Sequence, residues 1–444
     1  MKAIVFVLRG CPAGWLGTYG NEWVGTPNLD RFAAESVVFD RHISDRPDPN
    51  AASAAWLGGS LPSGSRLPDA LRDANVRTIL VRANHPDTDG PDWFYAGWGE
   101  VFDVRPEAED NSPLDALIRG LPQLLERVAK EENALLWVEI DRLLPPWDVR
   151  QDIFEAYMGR DDEEDEQQGD EEEDDEEEDD EEEEDDNDED EEAEDDDVEE
   201  DDDEEADGAE LTGEPEPVAA AAPIPEPVPP WYDPLTGPFN TTDPEAWEWL
   251  HSTFAAVVTA LDAEFGAIFE QIRAQGLDQS ATCVLTSDFG YPLGEHGQIG
   301  LHRPWLHTEL VHLPLIVRLP GAADKCRRVT GFTQPPDLFP TLLDLFGVKP
   351  ADGMSLLPLA RGEAESTRTK AVTALELNGA AEIAIRTDDC AFLLPLTVPE
   401  SEKREPMLFD KPDDRWEVND MRARKIDHAD ELEAELRKVS GTGQ

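Results

Sequence analysis

Of the 47 residues from position 161 to position 207, 40 are Asp or Glu and none is basic. A run of this kind repels itself and buries no apolar surface, so we expect it to be disordered and extended. Residues 214–230, with repeated Pro, Ala and Glu, then predict a stiff spacer. The chain can therefore fold only by bringing residues 1–160 together with those that follow the spacer.

The net charge of −67 comes mainly from this tract, because removing its 40 carboxylates leaves −27 for the rest of the 444 residues. A moderately acidic body argues against a nucleic-acid partner. The tract itself, residues 161–207, could hold basic proteins or collect divalent cations weakly. A solubilising insertion without a dedicated partner explains the same composition equally well.

The cellular compartment is predicted from the short N-terminal apolar segment and from the spacing of the cysteines. Residues 4–8 are only five apolar residues before Arg9, too few for the core of a signal peptide or for a membrane span. The four cysteines lie far apart, without disulfide or metal spacing. We therefore expect a reduced, cytoplasmic protein that makes no contact with a membrane.

A short strand and the loop after it carry the chemistry of the chain. Residues 281–285 are apolar or β-branched and predict a buried strand that delivers Ser287 and Asp288 to its carboxyl end, where ligands gather in α/β sheets. Four of the eight histidines follow before the end of the next predicted strand: His296, His302, His307 and His312. Such a cluster could hold a metal ion or an anion. An equally favoured alternative is that Asp288 caps a turn and that the histidines are solvated.

The remaining pattern predicts an α/β body. We expect strands at residues 3–8 and 135–138, and helices at residues 27–35, 113–130 and 250–272, with Thr26 as the N-cap of the first helix. After Met354 the pattern changes to four short strands and a last helix at residues 428–439.

Several motifs together resemble the sulfatases of the alkaline phosphatase superfamily. The family carries TSDHG, LGEHG and VPLIVRxPG in that order, and this chain has TSDFGYPLGEHG at 286–297 and HLPLIVRLPG at 312–321. Other matches are TPNLDRFA at 26–33, PTLLDLFG at 340–347 and SLLPLARGE at 355–363. The resemblance covers nearly the whole chain outside the insert.

The resemblance implies an α/β fold like that of alkaline phosphatase and sulfatases, with a large central sheet flanked by helices and a small C-terminal antiparallel sheet with a helix. Residues 1–160 and 231–350 would form the two parts of the α/β domain. Residues 161–230 would be the acidic insert with its spacer, and residues 351–444 a C-terminal α+β subdomain.

The positions that carry catalysis in the family differ here. The metal-binding aspartates at the end of the first strand align with Arg9 and Gly10, and the Cys or Ser nucleophile aligns with Pro49. The metal-binding His or Asn beside Asp288 reads as Phe289. Arginine cannot ligate a cation, and proline has no nucleophilic atom. The arginine of the nucleophile motif, the histidine of the central motif and the lysine after LGEHG likewise read as Ser53, Leu144 and Leu301.

The resemblance leaves few candidate site residues. Asp288 is a residual metal ligand, His296 and His302 are weak catalytic candidates, and Arg9 and Arg303 are candidate anion-binding residues. Other groups could in principle substitute for the lost ones. Cys11 could act as a nucleophile, although a small buried cysteine is favoured, and Asp48 could join Asp288 on a cation.

We predict a sulfatase-like pseudoenzyme whose former active-site pocket binds a small anion, a sulfate or phosphate ester, or a partner protein. The alternative is a divergent hydrolase of sulfate or phosphate esters, which would need Ca²⁺ or Mg²⁺. A second alternative is a scaffold that presents the acidic tract. Whether the protein is an enzyme stays open at this point, and Arg9→Ala separates the first function from the last, because only the first uses Arg9 to bind an anion.

Overall fold

Alternating side chains on the central strands are buried on both faces of one sheet. In the first strand Ile4, Phe6 and Leu8 belong to one apolar cluster, while Ala3 and Val5 belong to another. Sheets covered on both faces are typical of α/β proteins. The protein is described here from a computed structural model, which describes residues 1–58, 66–83, 92–104, 112–158, 228–349, 353–366, 368–400 and 402–441.

The described residues form strands of two to eight residues, listed here in chain order: β1 (Lys2–Leu8), β2 (Val37–Ile43), β3 (Arg77–Ala83), β4 (Glu100–Asp103), β5 (Ala134–Ile140), β6 (Gly237–Pro238), β7 (Ala281–Thr286), β8 (Gln298–Ile299), β9 (His312–Leu313), β10 (Leu315–Arg318), β11 (Arg327–Thr333), β12 (Ala371–Leu377), β13 (Ala380–Arg386), β14 (Cys390–Thr397) and β15 (Met407–Asp410).

The α-helices of the same residues are α1 (Pro27–Ala34), α2 (Pro49–Gly58), α3 (Leu67–Asp73), α4 (Asp92–Tyr95), α5 (Pro113–Lys130), α6 (Gln151–Glu155), α7 (Pro244–Ala274), α8 (Thr308–Val311), α9 (Leu338–Leu345), α10 (Leu357–Ala360) and α11 (Ile426–Val439).

The main sheet has nine strands in the order β11-β2-β10-β7-β1-β5-β3-β4, with β9 paired to β2. Strands β7, β1, β5, β3 and β4 are parallel neighbours, whereas β10 is antiparallel to both β7 and β2. Because five parallel strands lie side by side, their carboxyl ends share one edge of the sheet. The expected α/β class with a large central sheet is confirmed.

One face of the main sheet is covered by α5 and α7. Ser112 caps α5 by accepting the backbone N–H of Asp115, and Asp243 caps α7 by accepting that of Ala246. Among the described residues, α7 alone has the length and apolar composition to cross a membrane, and 67% of its apolar window is buried inside the protein. That burial is typical of a core helix, which passes the same test.

The C-terminal residues form a second, antiparallel sheet in the order β12-β13-β14-β15. Helix α11 packs on it through Ala429, Leu432 and Leu436, in one apolar cluster with Ile385 and Phe392. The predicted small sheet with a helix is confirmed. Residues 1–158 and 230–444 belong to one compact unit, whereas residues 161–227, with the predicted acidic tract, lie outside the described residues.

The start of α1 differs from the prediction in one respect. Thr26 is the N-cap residue by position, but its side chain makes no capping hydrogen bond. Its hydroxyl oxygen accepts the backbone N–H of Gly17 instead. A carboxylate of another helix, Asp262 of α7, accepts the N–H groups of Asn28 and Leu29. The local sequence pattern predicted where α1 starts. The amide hydrogens of its first turn, however, are accepted by a side chain that is distant in the sequence.

Candidate functional site

The carboxyl edge of the main sheet brings Asp288, after β7, against Arg9, after β1. The Arg9 Nε donates to Asp288 Oδ2 at 3.1 Å. Asp288 Oδ1 accepts the backbone N–H of Gly10 at 3.0 Å and that of Phe289 at 2.9 Å. Only 3% of the Asp288 side chain is exposed. This buried carboxylate is therefore balanced by an arginine and two amides.

Further carboxylates surround Arg9. Burial disfavours the guanidinium charge, but Asp288, Glu139 and Asp141 outweigh that effect and raise the pKa of Arg9. Glu139 also accepts from Arg82, whose Nε lies 3.3 Å from Glu139 Oε2. The edge is thus a compact network of opposite charges, in which the charge of Arg9 is already compensated.

Gly10 cannot be replaced without moving its neighbours. Its φ of +74° is in the left-handed region that favours glycine. A Cβ atom there would lie 2.4 Å from Leu144 Cδ2 and 3.6 Å from Tyr291 Cβ. An aspartate at this position would therefore require the Leu144 side chain to move and the backbone to accept a strained φ.

A cavity of about 690 Å³ lies near this edge. Pro12, which follows β1 closely in the chain, is one of the described residues that line it. Its apolar wall is aromatic and includes Trp15, Tyr19, Trp23, Trp247, Phe332 and Trp416. Basic side chains line it as well: Arg41, Arg328, Arg386, Lys411 and Arg415. The lining carboxylates are Asp40, Glu295, Glu309 and Asp388. Basic groups thus outnumber carboxylates in the wall, although the chain as a whole is strongly acidic.

His296 adds a further cation to the wall. Its Nδ1 lies 2.7 Å from Glu309 Oε1, and its Nε2 lies 3.2 Å from the backbone oxygen of Glu417. Burial opposes the charged form, but these bonds and the Glu309 charge raise the pKa of His296 to about 9. Both ring nitrogens therefore donate at neutral pH, and His296 is a fixed cation rather than a free base.

Arg386 presents a buried donor without a partner. The residue is 5% exposed and lines the cavity. Its Nη2 donates to the backbone oxygen of Leu306 at 2.6 Å and to Glu417 Oε1 at 3.0 Å. Its Nη1 is buried and has no hydrogen-bond partner among the described residues. An acceptor placed there would be stabilised, because an unpaired buried donor costs free energy.

Comparison with known proteins supports the resemblance to sulfatases. A family model described as Sulfatase matches residues 171–348. Over 116 residues the chain is 32% identical to an N-acetylglucosamine-6-O-sulfatase of Bacteroides thetaiotaomicron, covering 26% of this chain and 20% of that protein. Over 126 residues it is 29% identical to PehA of Trinickia caryophylli, a multifunctional alkaline phosphatase superfamily protein, covering 27% of this chain and 24% of that protein. These matches confirm the expected similarity to the sulfatases of the alkaline phosphatase superfamily.

Solved structures share its fold over nearly the full length. The phosphonate monoester hydrolase of Agrobacterium radiobacter aligns with a TM-score of 0.66 at 16% identity, over 99% of this chain and 95% of that one. A putative sulfatase of Bacteroides fragilis aligns with a TM-score of 0.66 at 15% identity, over 100% and 95%. At such identities the likeness concerns the fold. The chain matches only 20% and 24% of the lengths of the two relatives named above. The activities in their names therefore describe those proteins and not this chain.

The family resemblance implies a divalent cation at the edge of the sheet, and the described residues of this chain do not fit one. The Arg9 guanidinium is bonded to the aligned carboxylate of Asp288. Gly10 offers no side-chain ligand. Phe289 is 5% exposed and packs in the apolar cluster. A cation would meet a fixed positive charge and one carboxylate, which is unfavourable in a poorly solvated site.

The position of the family nucleophile is the start of a helix. Pro49 is the first residue of α2. Asp48, which could have joined Asp288 on a cation, instead accepts the backbone N–H of Ala51 at 2.9 Å and caps the helix. Cys11 is 1% exposed, and burial raises the pKa of its thiol, as expected of a structural cysteine.

The structure brings together only some of the predicted site residues. Arg9 and Asp288 contact each other, and His296 lines the cavity. Arg303 forms an ion pair with Glu402, and its guanidinium carbon lies 4.3 Å from the centroid of the Trp305 ring. The backbone oxygen of His302 accepts from Asn378. His302 and Arg303 are absent from the described lining of the cavity.

Sequence reasoning missed the residues behind the cavity wall. Glu417 is fully buried and accepts from Arg386, Thr308 and His307. Glu417 was not among the predicted site residues. Arg386, Thr308 and His307 lie 31 or more positions away from it along the chain, so no local pattern could indicate these contacts.

Proposed function

We propose that this protein is a sulfatase-family member without ester hydrolase activity, which binds an anionic ligand in the cavity near the former catalytic edge. The ion pair between Arg9 and Asp288 is the observation that carries the proposal. It places a permanent positive charge where the family resemblance implies a metal ion. Arginine can balance Asp288, but it cannot lower the pKa of a water molecule as a metal does.

The anion-binding part of the proposal is supported by the charges of the cavity. Arg386 offers a buried Nη1 donor, and the nearby wall contains Lys411, Arg415 and protonated His296. A sulfate, phosphate or carboxylate group accepts such charge-assisted hydrogen bonds well. Arg9, in contrast, is absent from the described lining of the cavity. We therefore place the anion against the Arg386 side of the cavity, and the earlier suggestion of Arg9 and Arg303 stays an untested prediction.

The aromatic wall indicates what else the ligand carries. Trp15, Trp23 and Trp247 offer broad apolar faces on the cavity surface. Rings and apolar groups stack on such faces. The proposed ligand is therefore a ring-bearing molecule with one compact anionic group, such as an aryl sulfate or aryl phosphate.

The hydrolase assay uses the full-length protein with an aryl sulfate and an aryl phosphate, in buffers with Ca²⁺ or Mg²⁺. We expect no turnover above the rate of the Asp288→Asn variant. Turnover that Asp288→Asn abolishes would overturn the proposal and establish the divergent hydrolase instead.

The binding assay is calorimetry with the same aryl sulfate. We expect Arg386→Lys to weaken binding about tenfold or more, because it loses the forked donor but keeps the charge beside Glu417. Arg415→Gln, at an exposed wall position, should also weaken it. The exposed Arg424→Gln, outside the described lining, is the matched control. Equal affinity in all four proteins would show that the anion does not bind in this cavity.

A further inference from the structure

Three different metal-ligating side chains meet at the turn between β13 and β14. Asp389 and Cys390 lie at the turn and His428 lies in the first turn of α11. One ligand atom from each, a carboxylate oxygen, Sγ and a ring nitrogen, lies within 4.8 Å of the other two. We propose that these side chains bind a zinc ion, which ties α11 to the turn. The proposal does not depend on the function proposed for the cavity.

The separation of the two softer ligands fits zinc. Cys390 Sγ lies 3.5 Å from His428 Nε2. A tetrahedral zinc with Zn–S about 2.3 Å and Zn–N about 2.0–2.1 Å places its sulfur and nitrogen about 3.6 Å apart. The cysteine and the histidine therefore already stand at the distance that the ion requires. Asp389 is exposed, so a side-chain rotation can bring a carboxylate oxygen to the ion.

Neighbouring groups hydrogen-bond to two of the three ligand residues, and a carboxylate lies near the third. Thr387 Oγ1 donates to Asp389 Oδ1 at 2.6 Å and also accepts the backbone N–H of Cys390 at 3.2 Å. On the other side of the imidazole, Glu431 Oε2 lies 3.9 Å from His428 Nδ1. A carboxylate near the second ring nitrogen, with Nε2 turned to the metal, is the usual arrangement around a zinc-bound histidine.

The donor set selects the metal. Thiolate and imidazole prefer zinc, whereas Ca²⁺ and Mg²⁺ prefer oxygen ligands. Three protein ligands leave a fourth position for water. The site also lies beside the cavity, because Thr387 and Asp388 of the same turn line it.

Spacing among the cysteines could not reveal this site, since it has a single cysteine and its histidine comes 38 positions later in the chain. The other three free cysteines, Cys11, Cys283 and Cys326, serve as internal controls.

The test uses Co²⁺ in place of Zn²⁺ on the full-length protein, without thiol reductants. The many carboxylates bind divalent cations, but only a thiolate ligand produces the near-ultraviolet charge-transfer band of cobalt. We expect one Co²⁺ per chain with that band and its loss when Zn²⁺ is added. Cys390→Ser should abolish the band, and Cys326→Ser should leave it unchanged.

Cys390 is 2% exposed, so its replacement could disturb folding. His428→Gln is the second variant, because 41% of that side chain is exposed. It should weaken Co²⁺ binding at least 100-fold while the protein stays folded by circular dichroism. Zn²⁺ should raise the melting temperature of the wild type but not of His428→Gln. Three results would each overturn the proposal: a folded wild type without the band, a band that survives Cys390→Ser, and equal affinity in His428→Gln. A hydrogen bond between cysteine and histidine would then explain their contact.

Discussion

The Arg9 guanidinium balances the charge of the buried Asp288 carboxylate, as a bound metal cation would. The difference is chemical. The arginine is not lost to a chelator, and it leaves no coordination position for water or a substrate oxygen. The buried charge of Asp288 is therefore balanced by a group of the protein itself, and the proposed lack of hydrolase activity rests on this pair.

Removing Arg9 should leave Asp288 buried without its partner. We expect Arg9→Met to lower the free energy of unfolding by about 3 kcal/mol, the lower end for a broken buried pair, because two amides still donate to Asp288. Urea denaturation measures the loss. Asp288→Asn in the same chain should restore part of it, which a double-mutant cycle detects. Arg150→Met, in an exposed pair with Asp152, should cause no measurable change. A similar small effect for Arg9→Met would contradict the buried ion pair.

His296 should make stability depend on pH above neutrality. Its pKa is about 9 in the folded protein and about 6.5 when unfolded. Its stabilisation is therefore complete below about pH 6.5 and is lost as the pH rises through 9. A shift of this size corresponds to about 3 kcal/mol. We expect the difference in unfolding free energy between the wild type and His296→Gln to shrink from pH 7 to pH 10.

His251 provides the control for that titration. Burial lowers the pKa of His251 to about 4, although its ring bonds to the backbone oxygen of Leu293. It is therefore neutral from pH 7 to pH 10, and the effect of His251→Gln should not change with pH in that range. A constant difference for His296→Gln as well would show that His296 is not protonated at neutral pH.

Among the secondary-structure elements, α1 depends on α7 for its first turn. Asp262 is 2% exposed and accepts the backbone N–H groups of Asn28 and Leu29, as well as the Asn28 side-chain amide at 2.8 Å. The helices approach closely here, since a Cβ on Gly266 would lie 2.6 Å from Asn28 Cγ. One carboxylate thus performs the capping that a local residue usually performs, and it joins two helices while doing so.

Asp262→Ala should lower the free energy of unfolding by about 3 kcal/mol, because buried amides lose a charged acceptor. Asp262→Asn keeps one acceptor oxygen and should lose less. Chemical denaturation gives both values. The exposed Asp344→Ala, on α9, is the comparison and should stay within about 0.5 kcal/mol of the wild type. If Asp262→Ala behaves like Asp344→Ala, the first turn of α1 does not need this cap.

At the scale of the whole molecule, Glu417 connects segments that are far apart in the sequence. Its fully buried carboxylate accepts from His307 and Thr308, before and within α8, and from Arg386 at the end of β13. Lys411 Nζ lies 3.3 Å from Glu417 Oε1. The C-terminal sheet is thus joined to the loop after β8 through one side chain, which also shapes the cavity wall.

Glu417→Gln should lower the free energy of unfolding by about 3–5 kcal/mol at pH 7, since buried Arg386 loses its counter-charge. Burial opposes ionisation of Glu417, but Arg386, His307 and Lys411 lower its pKa well below the usual 4.5. The unfolded state then binds the proton more tightly, so this stabilisation is present above about pH 4.5 and lost below it. The difference between wild type and variant should therefore narrow from pH 5 to pH 3. A difference that does not depend on pH would show that Glu417 is not ionised.

Local patterns were enough to predict several elements of the fold, although β2, β3 and β11 were not among them. The helix at Pro113–Lys130 begins and ends at the predicted residues, and apolar runs marked β1, β5 and β7 because buried parallel strands need continuous apolar residues. In the alignment that the resemblance implies, positions 9, 10, 49 and 289 hold Arg, Gly, Pro and Phe, whose side chains provide neither a metal ligand nor a nucleophile.

Tertiary contacts decided the rest. Arg9 and Asp288 are 279 positions apart, so the sequence could name both residues but could not show that they form an ion pair. The cavity, the cap from Asp262 and the network at Glu417 likewise join side chains from distant segments. Periodicity reports which face of an element is buried, because that depends on neighbours along the chain. Which charged groups meet depends on how the elements pack, and only the folded chain contains that information.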